Sequence, residues 1–320
     1  MRRPSRGVRA LQSITILAAL TLLAPAARAQ SEASPPILGR WDLRVTDARG
    51  TYPSWLEVTL SGNSTLVGRF VGRVGSARPI SHVNFTGGAV RFAIPPQWDR
   101  DTADLRFDGR LDDDRLTGTI TNPDGSQDAF TGTRAPALIR ATPQWGEALA
   151  LFDGKTLNGW KTQGGQGQWS VVNGILTSAK SGANLVSDRT FTDFKLHVEF
   201  RYPKNGNSGV YLRGRYEVQV EDTPRRDFPL AVDIGGVYGF LPPNQIAALG
   251  PGAWQTYDIT LVGRRVTVVL NGHTIIADQL IPGPTGGALD ADEGAPGPIL
   301  LQGDHTAIEY RAVRIMPARD

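Results

Sequence analysis

Short runs of alternating apolar and polar residues fill most of the chain, and turn-forming residues separate them. In residues 194–201 (FKLHVEFR) and 216–221 (YEVQVE), every second residue is apolar. A period of two places one set of side chains in a core and the other on the opposite face of a strand. No helical periodicity extends over ten or more residues, so the pattern predicts an all-β protein. We expect these two strands, with GVYLRG between them, to present polar groups on one face of one sheet.

The spacing of the runs predicts two β domains. Residues 39–134 contain short strands separated by SGN, GG, DDD and NPDG turns, which predict a small antiparallel β-barrel or sandwich. Two prolines, Pro136 and Pro143, mark residues 135–148 as a linker. Residues 149–317 contain a second set of strands, including the Asn271-Gly272 hairpin signal, and predict a two-sheet sandwich.

The first 29 residues have the features of a signal peptide. Four arginines stand within the first nine residues, an apolar run extends from Ile14 to Ala24, and Ala27-Arg28-Ala29 follows. The run is shorter than the roughly 20 residues needed to span a bilayer, so no membrane anchor is expected. We predict cleavage after Ala29, a flexible leader over 30–38, and export to the periplasm or the extracellular space.

Charge and cysteine content narrow the function classes. Residues 1–29 hold five arginines and no acidic residue, so their removal takes the formal net charge from +3 to −2. The mature chain therefore has no basic excess that would indicate a nucleic-acid partner. The sequence contains no cysteine, which excludes disulfides, thiolate metal sites and a cysteine nucleophile. Nothing in the pattern determines the oligomeric state.

The sequence identifies no definite cofactor. The four histidines are scattered, without the HxH or HExxH spacing of common zinc sites. Asp290, Asp292 and Glu293 form an acidic stretch, but Gly294 and Leu301 occupy positions where an EF-hand loop needs ligands. A solvated loop and a divalent-cation site built from mixed carboxylates are two open interpretations of this stretch.

The strand 216–221 does not by itself supply the carboxylate pair of an ordinary glycosidase. Along an extended strand, Glu217 and Glu221 have Cα atoms about 13 Å apart, since each residue advances about 3.3 Å. Retaining and inverting glycosidases need carboxyl groups about 5–5.5 Å or about 6.5–9.5 Å apart. Gln219, which lies between them, cannot act as an acid or a base. A partner would have to come from a neighbouring strand, with Glu199 or Glu309 as candidates.

Several separate motifs, in order, give residues 149–316 a resemblance to a known family. They are LFDGKTLNGW (151–160), WSVVNGIL (169–176), FKLHVEFR (194–201), GNSGVYLRG (206–214), YEVQVED (216–222), VYGFLPP (237–243), GAWQTYDITLVGRRVTVVLNG (252–272) and GPILLQGDHTAIEYRAVRI (297–315). This segment resembles the 3-keto-disaccharide hydrolase domain family. The resemblance implies a concanavalin-like jelly roll with its ligand on a concave face. It also implies hydrolysis of oligosaccharides or glycosides already oxidised at C3.

The resemblance also implies a set of site residues. The predicted catalytic residues are Glu217, His305 and Arg213. The predicted substrate-binding residues are Glu199, Asn207, Tyr211, Gln219, Asp222, Tyr238, Gln302 and Glu309.

A ketone at C3 permits a reaction that needs no carboxylate nucleophile. The ketone makes the C2 hydrogen acidic, a base can remove it, and the resulting enolate can expel the group at C1 before water adds. This route needs a base, a donor at the ketone oxygen and an acid near the leaving group. We expect Glu217 or His305 to be the base and Arg213 to polarise the ketone. Tyr211 and Tyr238 would donate protons or stack on the sugar.

Two other functions remain open at the level of sequence. A non-catalytic, lectin-like protein could bind carbohydrate on the same face, and a structural or adhesion protein could use the first domain for contacts. Turnover distinguishes the enzyme from the binding protein, because a binding protein would release a 3-keto-disaccharide unchanged.

Overall fold

The computed structural model describes residues 34–96, 102–165 and 167–319, and within these ranges it contains strands and no helix. The predicted all-β class is therefore confirmed. The predicted signal peptide, 1–29, lies outside the described residues, as does the first part of the leader over 30–38. The described part of the chain has no helix long and apolar enough to cross a membrane.

The first nine strands form one antiparallel sheet. In the described residues they are β1 (Gly39–Asp47), β2 (Gly50–Ser61), β3 (Thr65–Val71), β4 (Arg78–Ile80), β5 (Asn84–Thr86), β6 (Ala89–Ile94), β7 (Leu105–Asp112), β8 (Arg115–Thr121) and β9 (Gln127–Arg134). Their order is β4-β3-β2-β1-β9-β8-β7-β6-β5. The sheet curls until β4 lies against β6, and Val83 N donates a hydrogen bond to Leu66 O across the seam (2.8 Å). We call this unit the N-terminal barrel.

The remaining strands form a two-sheet jelly-roll sandwich. They are β10 (Leu149–Ala150), β11 (Trp160–Gln163), β12 (Trp169–Val172), β13 (Ile175–Ser178), β14 (Asn184–Phe191), β15 (Phe194–Arg201), β16 (Asn207–Leu212), β17 (Tyr216–Glu221), β18 (Gln255–Val262), β19 (Arg265–Leu270), β20 (His273–Leu280), β21 (Gly297–Leu301) and β22 (Ile308–Pro317). One sheet has the order β12-β13-β22-β15-β18-β19-β20, with β10 on β22, and the other β11-β14-β21-β16-β17. Apolar residues of both sheets form one buried core between them.

The Asn271-Gly272 signal forms the hairpin that it predicts. Asn271 and Gly272 have φ values of +51° and +80°, and they connect the paired residues Leu270 and His273. Two consecutive positive φ values are typical of the turn whose twist matches that of the flanking strands.

One prediction about the sheets is wrong. The strand 194–201 does not share a sheet with the strands that follow it, because β15 belongs to the larger sheet and β16 and β17 to the five-stranded one. The chain crosses between the layers at 202–206, where a Cβ on Gly206 would lie 2.8 Å from Pro203 O. The polar faces of β15 and β17 are consequently on the two opposite outer surfaces of the sandwich.

The barrel and the sandwich together form a compact unit over Pro36–Asp320. Trp55 Nε1 of the barrel donates a hydrogen bond to Pro284 O (2.8 Å), and Arg40 Nη1 donates to Pro282 O (2.6 Å). Between these two contacts, a Cβ on Gly283 would lie 2.7 Å from the Trp55 ring. The barrel therefore rests directly on the backbone of the segment that precedes the acidic stretch.

A buried ionic cluster strengthens this junction. Glu293 is fully buried; its carboxylate contacts the Arg40 guanidinium of the barrel and accepts a hydrogen bond from Tyr216 OH (2.5 Å). A second buried carboxylate, Asp42, lies 3.3 Å from the Arg40 guanidinium. Burial is the largest effect on the pKa of both Asp42 and Arg40: it raises the pKa of Asp42 to about 6 and lowers the pKa of Arg40 to about 10. These shifts are opposite to what pairing alone would produce, so desolvation outweighs the mutual attraction of the charges.

The acidic stretch is divided between the interior and the solvent: Glu293 is buried, whereas Asp290 and Asp292 are partly exposed and paired with arginines. Asp290 accepts a hydrogen bond from Arg215 (2.6 Å) and Asp292 from Arg44 (2.5 Å). In the parts of the chain that the structure describes, no group of three or more acidic or histidine side chains is arranged to hold a metal ion.

Replacing Glu293 should destabilise the protein strongly. In the Glu293→Gln variant, the buried Arg40 charge would keep only Asp42 (3.3 Å) as a charged partner, and we expect a loss approaching the cost of breaking a buried pair, about 3–5 kcal/mol of unfolding free energy. Urea denaturation of the variant measures this loss. The control is Asp292→Asn, in the same loop, whose ion pair with Arg44 is about half exposed and should matter little. Equal stability of both variants would contradict the role given to the cluster.

Candidate active site

The outward face of the five-stranded sheet forms the floor of a cavity of about 180 Å³. On β17, Tyr216 and Val218 point into the sandwich core, while Glu217 and Gln219 alternate with them and line the cavity. Leu300 on β21 and residues of β16 complete the floor. The period of two in the sequence therefore determines which side chains reach the cavity.

Glu217 lies at the centre of this floor with little exposure to solvent. Only 4% of it is exposed, and Tyr211, its cross-strand neighbour on β16, donates a hydrogen bond to Glu217 Oε2 (2.9 Å). Space for the carboxylate depends on Gly209, where a Cβ would lie 2.3 Å from Glu217 Oε1. The Tyr211 hydroxyl is also 3.0 Å from Gly286 O, so its proton has an alternative acceptor when Glu217 is protonated.

The environment of Glu217 brings its titration close to neutral pH. Burial raises the pKa of Glu217 to about 7, and this effect exceeds the opposing hydrogen bond from Tyr211 and the nearby charge of His305. A carboxyl group with such a pKa is present in both protonation states near neutral pH. It can accept a proton and return it, as general acid–base catalysis requires.

His305 lies at the edge of the same cavity and is paired with Asp304. The two side chains are joined by a hydrogen bond between His305 Nδ1 and Asp304 Oδ1 (2.6 Å), and each is about half exposed. This hydrogen bond is the main cause of a raised pKa for His305 and of a lowered pKa for Asp304. The pair therefore favours a positively charged imidazolium opposite a carboxyl group that can be neutral.

Arg213 is not at the cavity, contrary to the prediction. It lies in the β16–β17 turn with φ of +53°, and its guanidinium is buried at the end of the sandwich near the barrel. There it donates hydrogen bonds to Tyr216 OH (3.0 Å), Gly263 O (2.8 Å) and Glu293 O (3.2 Å). The turn interrupts the alternation of the strands, so Arg213 supports the ionic cluster and cannot polarise a substrate ketone.

The other predicted residues divide into two groups. Five of them line the cavity: Asn207, Tyr211, Gln219, Tyr238 and Gln302. Three do not. Glu199 and Glu309 lie on the larger sheet, paired with Arg311 and Arg201 respectively, and Asp222 accepts a hydrogen bond from Asn205 N (2.8 Å) just beyond β17. The suggestion that Glu199 or Glu309 could complete a carboxylate pair is therefore wrong.

Several lining residues escaped sequence analysis. Asp304 and Asn184 line the cavity, as do the backbones of Gly286 and Gly287. Asp304 could have been noticed as the neighbour of His305, whereas the others carry no local signal. The barrel also contributes Val74 and Gly75 from the loop after β3. The cavity thus combines residues from the sandwich and the barrel.

A sequence profile described as the 3-keto-alpha-glucoside-1,2-lyase-like domain matches residues 147–316, which is more than half of the chain. The chain belongs to this family. Within the family segment lie Glu217, Tyr211, Asp304 and His305, whereas the N-terminal barrel falls outside the matched residues.

Individual relatives are more distant. A protein of Bacteroides thetaiotaomicron named 3-keto-disaccharide hydrolase is 30% identical over 91 residues, which cover 25% of this chain and 31% of that protein. The chain thus matches about a third of this relative's length. Two crystal structures of candidate glycosyl hydrolases from Parabacteroides distasonis are also similar. One has 30% identity and a TM-score of 0.46, covering 55% of this chain and 91% of the other. The second has 18% identity and a TM-score of 0.44, covering 54% and 94%.

The raised pKa of Glu217 can be measured directly. In protein labelled with ¹³C at glutamate carboxyl groups, we expect one resonance to titrate near pH 7 and to disappear in Glu217→Gln. Tyr211→Phe should raise this pKa further, because the lost hydrogen bond favours the charged carboxylate. Tyr52→Phe, in the barrel, is the control and should leave the resonance unchanged. Titration of Glu217 near the ordinary value of 4.5 would contradict the description of the site.

Proposed function

We propose that this protein hydrolyses glycosides whose C3 hydroxyl has already been oxidised to a ketone, with Glu217 as the base. The observation that carries the proposal is the buried Glu217, whose pKa is raised to about 7, in one cavity with the imidazole of His305, whose pKa is raised by its hydrogen bond to Asp304. Membership of the 3-keto-alpha-glucoside-1,2-lyase-like family and the name of the Bacteroides relative support the same substrate class.

In the first step, the Glu217 carboxylate removes the proton from C2. The electron pair of the C–H bond forms a C2=C3 double bond, and the ketone oxygen becomes an enolate oxygen. His305, whose pKa is raised by Asp304, donates a hydrogen bond to that oxygen and stabilises its developing charge. In this scheme His305 takes the role expected of Arg213, which is too far into the protein interior to contact substrate.

In the second step, the enolate electrons re-form the C3 carbonyl, a C1=C2 double bond forms, and the C1–O bond breaks. The departing oxygen takes the proton now held by Glu217, which becomes a base again. Glu217 then deprotonates a water molecule that adds to C1, and the proton returns to C2. The net change is hydrolysis, and one carboxyl group with a pKa near neutral suffices for every proton transfer.

The size and lining of the cavity fit the reacting sugar. Its volume of about 180 Å³ lies below the usual range of about 300–1,000 Å³ for pockets that hold whole drug-sized ligands, so it suits one sugar ring. Asn207, Gln219 and Gln302 supply amide groups to its wall. Gln302 Oε1 is buried and has no hydrogen-bond partner among the described residues, so this oxygen can accept a hydrogen bond from a sugar hydroxyl.

Turnover tests the proposal against the lectin-like alternative. We expect the mature protein to cleave 3-keto-disaccharides and to leave the unoxidised parents intact, with or without a chelator. Glu217→Gln should lower kcat by about 10²–10⁴-fold, the usual contribution of a general base. Glu221→Gln, on the same strand but outside the cavity wall, is the matched control and should remain active.

The pH dependence has a defined sign. Because Glu217 must be ionised, kcat/KM should rise with pH through about 7, and because His305 must be protonated, it should fall again at higher pH. His305→Gln should lose the falling limb. Binding of the 3-keto-disaccharide without any turnover would identify a binding protein, and cleavage of the parents alone would overturn the substrate class.

We also propose that the protein acts outside the cytoplasm. The arginine-rich start, the apolar run and the Ala27-Arg28-Ala29 sequence support cleavage by a signal peptidase. The mass of the protein recovered from periplasm or medium should correspond to a chain that begins at Gln30. A cytoplasmic protein that retains residues 1–29 would exclude export.

A further inference from the structure

A second and larger cavity opens at one end of the N-terminal barrel. It has a volume of about 860 Å³ and is bordered by the loops that follow β1, β3 and β8. Two sandwich residues, Val232 and Tyr238, form part of its wall. The mouths of β-barrels are common sites for small ligands, since the strands hold the surrounding loops rigidly. We call this cavity the barrel mouth.

The barrel mouth adjoins the cavity of Glu217. Val74, Gly75 and Tyr238 border both, so the loop after β3 forms a shared wall. This loop is held against the sandwich by a hydrogen bond from Gly287 N to Arg73 O (3.2 Å). Its approach is so close that a Cβ on Gly286 would lie 2.6 Å from Gly75 N and O. The juxtaposition of the two cavities is therefore fixed by backbone contacts.

The floor of the barrel mouth combines apolar and hydrogen-bonding groups. Phe70, Leu105 and Ile120 are buried apolar residues that line it. Among them lies Asp128, a buried carboxylate that accepts hydrogen bonds from Asn122 Nδ2 (3.0 Å) and, at 3.4 Å, Tyr52 OH. Such a floor can receive the flat face of a ring and also bind hydroxyl groups at its edge.

The charges around the barrel mouth balance. Its lining contains three aspartates and three arginines: Asp47, Asp124, Asp128, Arg49, Arg73 and Arg78. Arg73 pairs with Asp47 (2.6 Å) and stacks on the Tyr52 ring, with Cζ 4.1 Å from its centroid. With no net charge, the cavity favours neither an anion nor a cation. Exposed Val74 (72%) and Val232 (38%) add apolar surface at the rim.

We propose that the barrel mouth is the subsite for the leaving group of the glycoside, and that it takes an uncharged ring bearing hydroxyl groups. This inference rests on the proposed function, because the Glu217 cavity would hold the 3-keto sugar while the group attached to C1 extends past Val74 and Tyr238. The second sugar of a disaccharide and a phenolic ring share the required chemistry.

Three substrates test the subsite: a methyl 3-keto-glucoside, which lacks a second ring, a 3-keto-disaccharide and a 4-hydroxyphenyl 3-keto-glucoside. Ser126→Trp places a bulky side chain at the mouth from an exposed turn, and Ser61→Trp, at the opposite end of the barrel, is the matched control. We expect Ser126→Trp to lower kcat/KM at least tenfold for the two-ring substrates, mainly through KM, and to spare the methyl compound. Asp128→Asn should lower kcat/KM for both two-ring substrates, and the larger loss identifies the ring, sugar or phenol, whose hydroxyl groups reach Asp128.

Binding separates failure of the subsite from failure of the proposed function. Calorimetry with an unoxidised disaccharide and with 4-hydroxyphenyl glucoside should show binding to the wild type and to Glu217→Gln, weakened at least tenfold by Ser126→Trp. If the wild type turns over none of the 3-keto compounds, the proposed function fails and this binding experiment alone decides the subsite. Equal losses for all three substrates, or no difference between the two tryptophan variants in kinetics or binding, would overturn the subsite.

Discussion

The contact between Glu293 and Arg40 is the interaction on which the arrangement of this protein depends. It joins a barrel residue to a buried residue of a sandwich loop, and the hydroxyl of Tyr216, at the start of β17, donates a hydrogen bond to the same carboxylate. Tyr216 and Glu217 are neighbours on opposite faces of one strand. The ionic cluster therefore anchors β17 at the barrel junction, while the next residue presents its carboxyl group to the cavity. The main effect of this buried ion pair is to fix the positions of the segments that it joins, because the cost of desolvating the charges offsets much of their attraction.

Two buried glutamates, Glu293 and Glu217, differ in the groups that contact their carboxylate oxygens. Glu293 has an arginine and a tyrosine hydroxyl against its oxygens, so its charge is compensated. Glu217 has one tyrosine hydroxyl and only a half-exposed histidine nearby, so burial dominates and raises its pKa to about 7. The environment of Glu217 suits a group that exchanges protons, and carboxyl groups with pKa values shifted in this way commonly mark acid–base sites.

Local periodicity predicted strands well, but it could not assign them to layers. The segment 194–201 is β15, as its alternation indicated, yet whether it pairs with β16 or crosses to the other sheet depends on contacts made by β18 and β22, far along the chain. Glu199 was misplaced for this reason. The prediction for Arg213 was wrong for a different reason. Arg213 lies in a turn, with φ of +53°, where alternation no longer predicts the face that a side chain occupies. Glu217 and Gln219 lie on one face of an uninterrupted strand, where alternation does predict the direction of a side chain.

The contribution of the barrel residues Val74 and Gly75 to the cavity could not be predicted from the sequence, because nothing in the residues of this loop indicates that it contacts the sandwich. Its docking depends on glycines on the other side: a Cβ on Gly239 would lie 2.3 Å from the Ser76 side chain, and Gly286 is equally crowded against Gly75. In the sequence, glycines required by a contact with a segment more than 160 residues away look like ordinary loop glycines. The family segment begins at residue 147, after the last barrel strand, yet the wall of its cavity includes barrel residues. The buried carboxyl group of Glu217 thus belongs to the family domain, whereas part of the wall that encloses it comes from the barrel.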